Sequence, residues 1–118
     1  MTLAEILKDS DYKQSRFDIV QIHQFEQKII TRTDKNGNNI PYINCAIRKK
    51  EIRLTPEEAV RQLYLDILLN DYHYPADRIE LEYAVTFGRE KKRADIVIFD
   101  KERATSPYII VEMKKPKL

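Results

Sequence analysis

The chain has 118 residues and a formal net charge of +2 at pH 7. That length suits one domain with a modest core, and so small a charge gives no bulk electrostatic argument for nucleic-acid binding. One cysteine (Cys45) excludes an intrachain disulfide, two isolated histidines (His23 and His73) leave a zinc site or a Ser/His/Asp triad without parts, and two glycines (Gly37 and Gly88) cannot form a phosphate-cradling loop.

Residues 1–10 lack the apolar segment of a signal peptide, and no run approaches the length of a membrane span, so a reducing cytoplasm is the expected setting. Cys45 then reads as a small buried apolar residue.

Residues 2–8 (TLAEILK) read as a short helix, with Thr2 as cap and Leu3, Ile6 and Leu7 on one face. Residues 10–21 are ambiguous. Residues 25–33 and 40–48 read as a hairpin around the turn D-K-N-G-N-N, whose Asn and Gly residues accept positive φ. Ile43, Cys45 and Ile47 would share one face. Pro41 makes its strand an edge or confines the proline to the strand's start. Such a hairpin offers a platform or a partner surface.

Residues 55–70 give the clearest helix. Thr55 is the N-cap, Pro56 sits at N1 and Glu58 at N3, which makes a capping box. Val60, Leu63, Tyr64, Ile67 and Leu68 form the expected buried stripe. On that reading Glu58 points away and serves the cap. Glu57 lies about 50° from the stripe's centre and faces the sheet's margin. A carboxylate there either steadies the helix dipole or has a functional task. Arg61, one turn on, could pair with Glu57 or with a phosphate.

Residues 71–77 read as a turn. Residues 79–87 (IELEYAVTF) alternate as a half-buried strand that Gly88 ends. Two four-residue apolar runs follow, 96–99 and 108–111, each bounded by charged or turn residues. Joined by a loop over 100–107, they would set Phe99 opposite Tyr108, Val97 opposite Ile110 and Asp95 opposite Glu112. Opposed side chains share a face with Cβ atoms roughly 5 Å apart, and Lys114 falls on that face too. Facing carboxylates repel unless a cation compensates. Two carboxylates with a backbone carbonyl and water make a hard-oxygen Mg²⁺ site. The basic runs REKKR (89–93) and KKPK (114–117) flank the acids and read either as solvated ends or as contacts for a phosphate backbone. The order helix, strand, turn, strand, loop, strand is an α/β (α+β) meander with a helix on one face. Its bare edge predicts a further element beyond Leu118.

With 34% of residues charged, an E-x-K triplet alone carries little information. The whole constellation carries more. A-D-I-V-I-F followed by I-V-E-M-K, behind a helix with an acidic start, resembles the PD-(D/E)xK nuclease core, with Ala94 where the proline would stand. More narrowly, LTPEEAVRQLYLDIL, YPADRIELEY, KKRADIVIFD and IIVEMKKPK resemble the N-terminal nuclease domain of type I restriction enzyme R subunits, over about 54–117.

The resemblance implies a restriction-endonuclease-like core at 54–118 with a central mixed sheet, behind an N-terminal extension at 1–53. It implies a Mg²⁺-dependent endonuclease on double-stranded DNA, with Mn²⁺ as a substitute. Asp95 and Glu112 would bind the metal with the Met113 carbonyl, Lys114 would orient or activate water, and Glu57 would be the helix acid that some members use. Arg61, Arg89, Lys91, Lys92, Arg93, Lys115 and Lys117 would contact DNA. Implied partners are a helicase-type motor or methyltransferase in the same polypeptide, and modification and specificity subunits. The family's Q-x-x-x-Y helix would lie beyond Leu118. Two other readings compete: a non-catalytic module that binds DNA or a companion subunit on the same fold, and an ordinary small domain with coincidental acids.

Overall fold

The computed structural model describes residues 1–103 and 106–113. The chain is an α+β protein with two three-stranded antiparallel sheets, in the orders β1-β2-β3 and β4-β5-β6. The mixed sheet expected from the sequence is therefore corrected: every strand pair among the described residues is antiparallel. Two compact units divide the chain, one from Met1 to Tyr64 and the other starting at Leu65.

In the first unit, α1 (Leu3–Leu7) starts at Thr2, whose hydroxyl accepts the Glu5 amide, and buries Leu3, Ile6 and Leu7. The Leu3 amide donates to Glu26 on α2 (Ile19–Gln27) at 2.6 Å. This helix occupies part of the expected first strand, so residues 25–27 are helical. Asp18 explains why: its carboxylate accepts the Val20 amide and caps α2 inside a stretch without clear periodicity.

The strands β1 (Ile30–Thr33), β2 (Asn39–Cys45) and β3 (Lys50–Arg53) follow. The β1–β2 turn is the expected one. Asp34 accepts the Asn36 and Asn38 amides, and Gly37 takes φ 81°. The next turn was not expected. β2 stops at Cys45, Ile47 lies in the turn, and Lys49 takes φ 55° where glycine would be usual.

Pro41 lies near the start of the central strand, not in an edge strand. Its carbonyl accepts the Leu54 amide, and β3 ends opposite Tyr42. The donor that proline lacks therefore falls where β3 has already ended.

The helix α3 (Pro56–Asp66) has the Thr55 half of the expected capping box, with the Glu58 amide donating to Thr55 Oγ1 at 3.2 Å, but the Glu58 carboxylate accepts from Arg48, Arg61 and Gln62 instead of closing the box. It is shorter than the sequence suggests and gives way to a π-helical turn, Ile67–Asp71. Its buried residues also differ. Val60 and Leu63 are buried as expected, but so are Glu58, Ala59, Arg61, Gln62 and Leu65, while Tyr64, Ile67 and Leu68 are half-buried. Gln21 donates to the Leu63 carbonyl at 2.9 Å, and Phe17 meets Tyr64 edge to face at 5.1 Å, which ties α2 to α3.

In the second unit, β4 (Ile79–Phe87) and β5 (Glu90–Phe99) form a long hairpin across a two-residue turn, Gly88 and Arg89, with Gly88 at φ 61°. β5 begins five residues before Asp95, so most of REKKR is strand and not loop. Ile96, Val97, Ile98 and Phe99 are all buried, as an apolar run without alternation implies.

The β4–β5 ladder passes over Glu82, which has φ 53°, between the pairs Leu81↔Ile96 and Tyr83↔Ala94. Strict alternation would put Tyr83 and Phe99 on opposite faces. Their rings instead meet edge to face at 5.2 Å. The break at Glu82 bends the ribbon enough to bring them together.

β6 (Pro107–Val111) pairs with β5 through Ile96↔Val111, Val97↔Ile110 and Ile98↔Ile109. The inner rungs have the expected register. The outer one is corrected: a shift between Ile98 and Phe99 sets Phe99 opposite Pro107 instead of Tyr108.

Candidate functional site

The sequence placed its acids where two apolar strands leave the core, and the pairing of β5 with β6 bears on that placement. The ladder's last pair is Ile96↔Val111. One further step at the same register sets Asp95 opposite Glu112, just past the end of β6. Asp95 is half-buried and Glu112 is exposed. The Asp95 carboxylate accepts the Met113 amide at 2.8 Å. This bond ties the chain beyond β6 to β5 and holds Glu112 beside Asp95. Lys114, Lys115 and Lys117, the remaining residues expected at this end, lie outside the described residues.

Among the described residues, no three Asp, Glu, His or Cys side chains gather into a metal-sized group. The Asp95–Glu112 end offers carboxylates and backbone carbonyls, with no thiolate or imidazole. That donor set suits a hard divalent cation. Mg²⁺ retains several waters and is commonly held by one or two carboxylates, so this donor set fits it.

Glu57 and Glu58 exchange the environments that the apolar stripe suggested. Glu57 is exposed, and its carboxylate lies 3.6 Å from Arg61. Glu58 is buried and accepts from Arg61 at 2.7 Å, from Arg48 at 3.0 Å and from Gln62 at 3.2 Å. Gln62 also donates to Cys45 Sγ at 3.3 Å. Buried charge is tolerated here because both oxygens of the Glu58 carboxylate accept hydrogen bonds. Arg61, expected to meet either Glu57 or a phosphate, is 3% exposed and engaged with both glutamates.

Arg89, Lys91, Lys92 and Arg93 are exposed at the far end of the β4–β5 hairpin. Glu82 is an acid the sequence reading passed over. It sits on β4 at the level of Asp95, so Glu82, Asp95 and Glu112 step across three neighbouring strands. The alternation of IELEYAVTF already put Glu82 on the strand's polar side. What it could not supply was the pairing that brings β4 against β5.

No helix among the described residues is long and apolar enough to cross a membrane. Residues 56–118, just over half the chain, match the family described as the type I restriction enzyme R protein N terminus. No curated protein and no solved structure matches the chain.

Proposed function

As the chain belongs to the type I restriction enzyme R protein N-terminus family, we propose that it is the nuclease module of a restriction enzyme, hydrolysing phosphodiester bonds of double-stranded DNA with Mg²⁺. The observation that carries this reading is the β5–β6 register together with the Asp95–Met113 bond, which supports a pair of carboxylates at one end of a buried two-strand core.

Asp95 and Glu112 would hold the cation, with the Met113 carbonyl as a further donor. When bound, it would supply the positive charge that polarises a scissile phosphate and stabilises a departing 3′ oxygen. The Lys114 ammonium orients the attacking water and assists its deprotonation. Water adds across the P–O3′ bond, leaving a 5′ phosphate and a 3′ hydroxyl. Glu57 is the candidate helix acid. Arg89, Lys91, Arg93, Lys115 and Lys117 are the candidate cations for the DNA backbone, whereas the burial of Arg61 favours its structural pairing. The partners are other domains of the same polypeptide, a motor or methyltransferase, and the modification and specificity subunits.

The Asp95–Met113 bond also suits a second reading, a non-catalytic module in which Asp95 only fastens the chain to β5. Incubation of plasmid DNA with Mg²⁺ separates the two. Cleavage by the wild type that is lost in both Asp95→Asn and Lys114→Ala supports the nuclease. Cleavage retained in both folded variants overturns it.

A further inference from the structure

Among the described residues, β6 pairs with β5 only from Ile96 onward, and the part of the hairpin from Tyr83 to Ala94 is described as a two-stranded ribbon. Its two faces can be assigned. Tyr83↔Ala94 and Val85↔Lys92 share one face, and Ala84↔Arg93 and Thr86↔Lys91 share the other. Tyr83, Val85 and Ala94 pack in one cluster with Val97 and Phe99, which fixes their face as the inward one. The outward face carries Ala84, Thr86, Lys91 and Arg93, all exposed.

Between the level of Glu82 and Asp95, which border it, and the hairpin's tip, that outward face bears two cations and no acid, since Glu90 shares the face of Lys92 and Ala94. The cross-strand partners Ala84 and Thr86 are too short to shield either charge. Among the described residues, neither Lys91 nor Arg93 has an ion-pair partner. Two residues apart on one face, they stand about 7 Å apart along the strand. This is close to the step between neighbouring phosphates of one nucleic-acid strand. Side by side they repel each other, and a polyanion removes that cost.

We propose that this outward face docks on the sugar-phosphate backbone of duplex DNA through Lys91 and Arg93, with Lys92 outside the contact. A two-stranded ribbon is of a size that a DNA groove admits, and phosphate contacts fix position without reading sequence. An anionic membrane surface suits the face less well, because Ala84 is its only apolar side chain. The inference rests on the reading that duplex DNA is the substrate, and its test reads binding alone.

The test is fluorescence anisotropy of a short labelled duplex with the 118-residue chain in EDTA, titrated with salt. The double variant Lys91→Gln/Arg93→Gln is expected to bind at least tenfold more weakly. Its log K against log[salt] slope should be shallower by roughly 1.8, the value for two lost phosphate contacts. Lys92→Gln should keep the wild-type slope. All of these substitutions lie on an exposed surface, and thermal melts confirm folding. An unchanged slope in the double variant, an equal effect of Lys92→Gln, or no duplex binding by the wild type overturns the proposal. So does binding only to phosphatidylserine vesicles. The test reads binding without metal, so a failure of the wild type to cleave DNA counts against the nuclease chemistry and leaves this result standing.

Discussion

The Asp95 carboxylate accepts the Met113 amide at 2.8 Å, joining the buried strand β5 to the chain just beyond β6. The Asp95 carboxylate fastens the residue after Glu112 to β5, and under the proposed function it would also bind the cation. The two tasks separate by substitution. Asp95→Asn keeps an acceptor for the Met113 amide and should leave stability within about 0.5 kcal/mol while abolishing cleavage. Asp95→Ala also orphans that amide and should cost about 1–2 kcal/mol. Urea denaturation read beside the cleavage assay checks both halves.

Glu58 and Glu57 should differ sharply in their effect on stability. Removing Glu58 leaves Arg48 and Arg61 without their shared carboxylate in a buried setting, so Glu58→Ala is expected to cost about 3–5 kcal/mol. Glu57→Ala removes one long, solvent-screened pair and should change stability by less than about 0.5 kcal/mol. Equal costs for the two in thermal or urea unfolding would contradict the assignment of Glu58 as the buried partner.

Glu82 pays for the bend in β4 with a backbone conformation that L residues avoid, φ 53°. Glu82→Gly should be neutral or stabilising by up to about 1 kcal/mol. Glu82→Val places a branched side chain in the same conformation and should destabilise by about 1–2 kcal/mol. The reverse order in a denaturation series would mean that the strand is not bent at this residue.

Acid stability follows from two half-buried carboxylates in the first unit. Backbone hydrogen bonds from Asn38 and Asn36 hold the Asp34 pKa below its usual value. The Arg32 guanidinium, hydrogen-bonded at 2.7 and 2.8 Å, does the same for Glu51. Both groups are depressed in the folded chain. Their stabilisation is therefore present above the ordinary carboxylate pKa and is lost as pH falls through the lowered values. Asp34→Asn keeps an acceptor oxygen but cannot titrate, so melting temperature against pH should flatten between about pH 5 and pH 2.

The inner β5–β6 register was legible because two apolar runs of equal length with charged ends leave few registers. The bulge beside Phe99 was not legible, because nothing in P-Y-I-I-V marks a shifted residue. The turn after Cys45 was hidden because Lys49 takes positive φ without the Gly or Asn that signals it. The helical residues 25–27 were hidden because Asp18 caps α2 within an ambiguous stretch. The exchange between Glu57 and Glu58 has a different cause. Apolar periodicity locates a buried stripe only when polar residues stay outside it. Here Arg61 and Gln62 are buried with Glu58 because both donate to its carboxylate, and only coordinates reveal that.

Calorimetry of Mn²⁺ against the purified chain asks whether Asp95 and Glu112 together bind a divalent cation. Saturable binding by the wild type is expected to disappear in Asp95→Asn and in Glu112→Gln, with all three proteins folded. Identical heats in the wild type and both variants would contradict it and leave Asp95 as a structural residue alone.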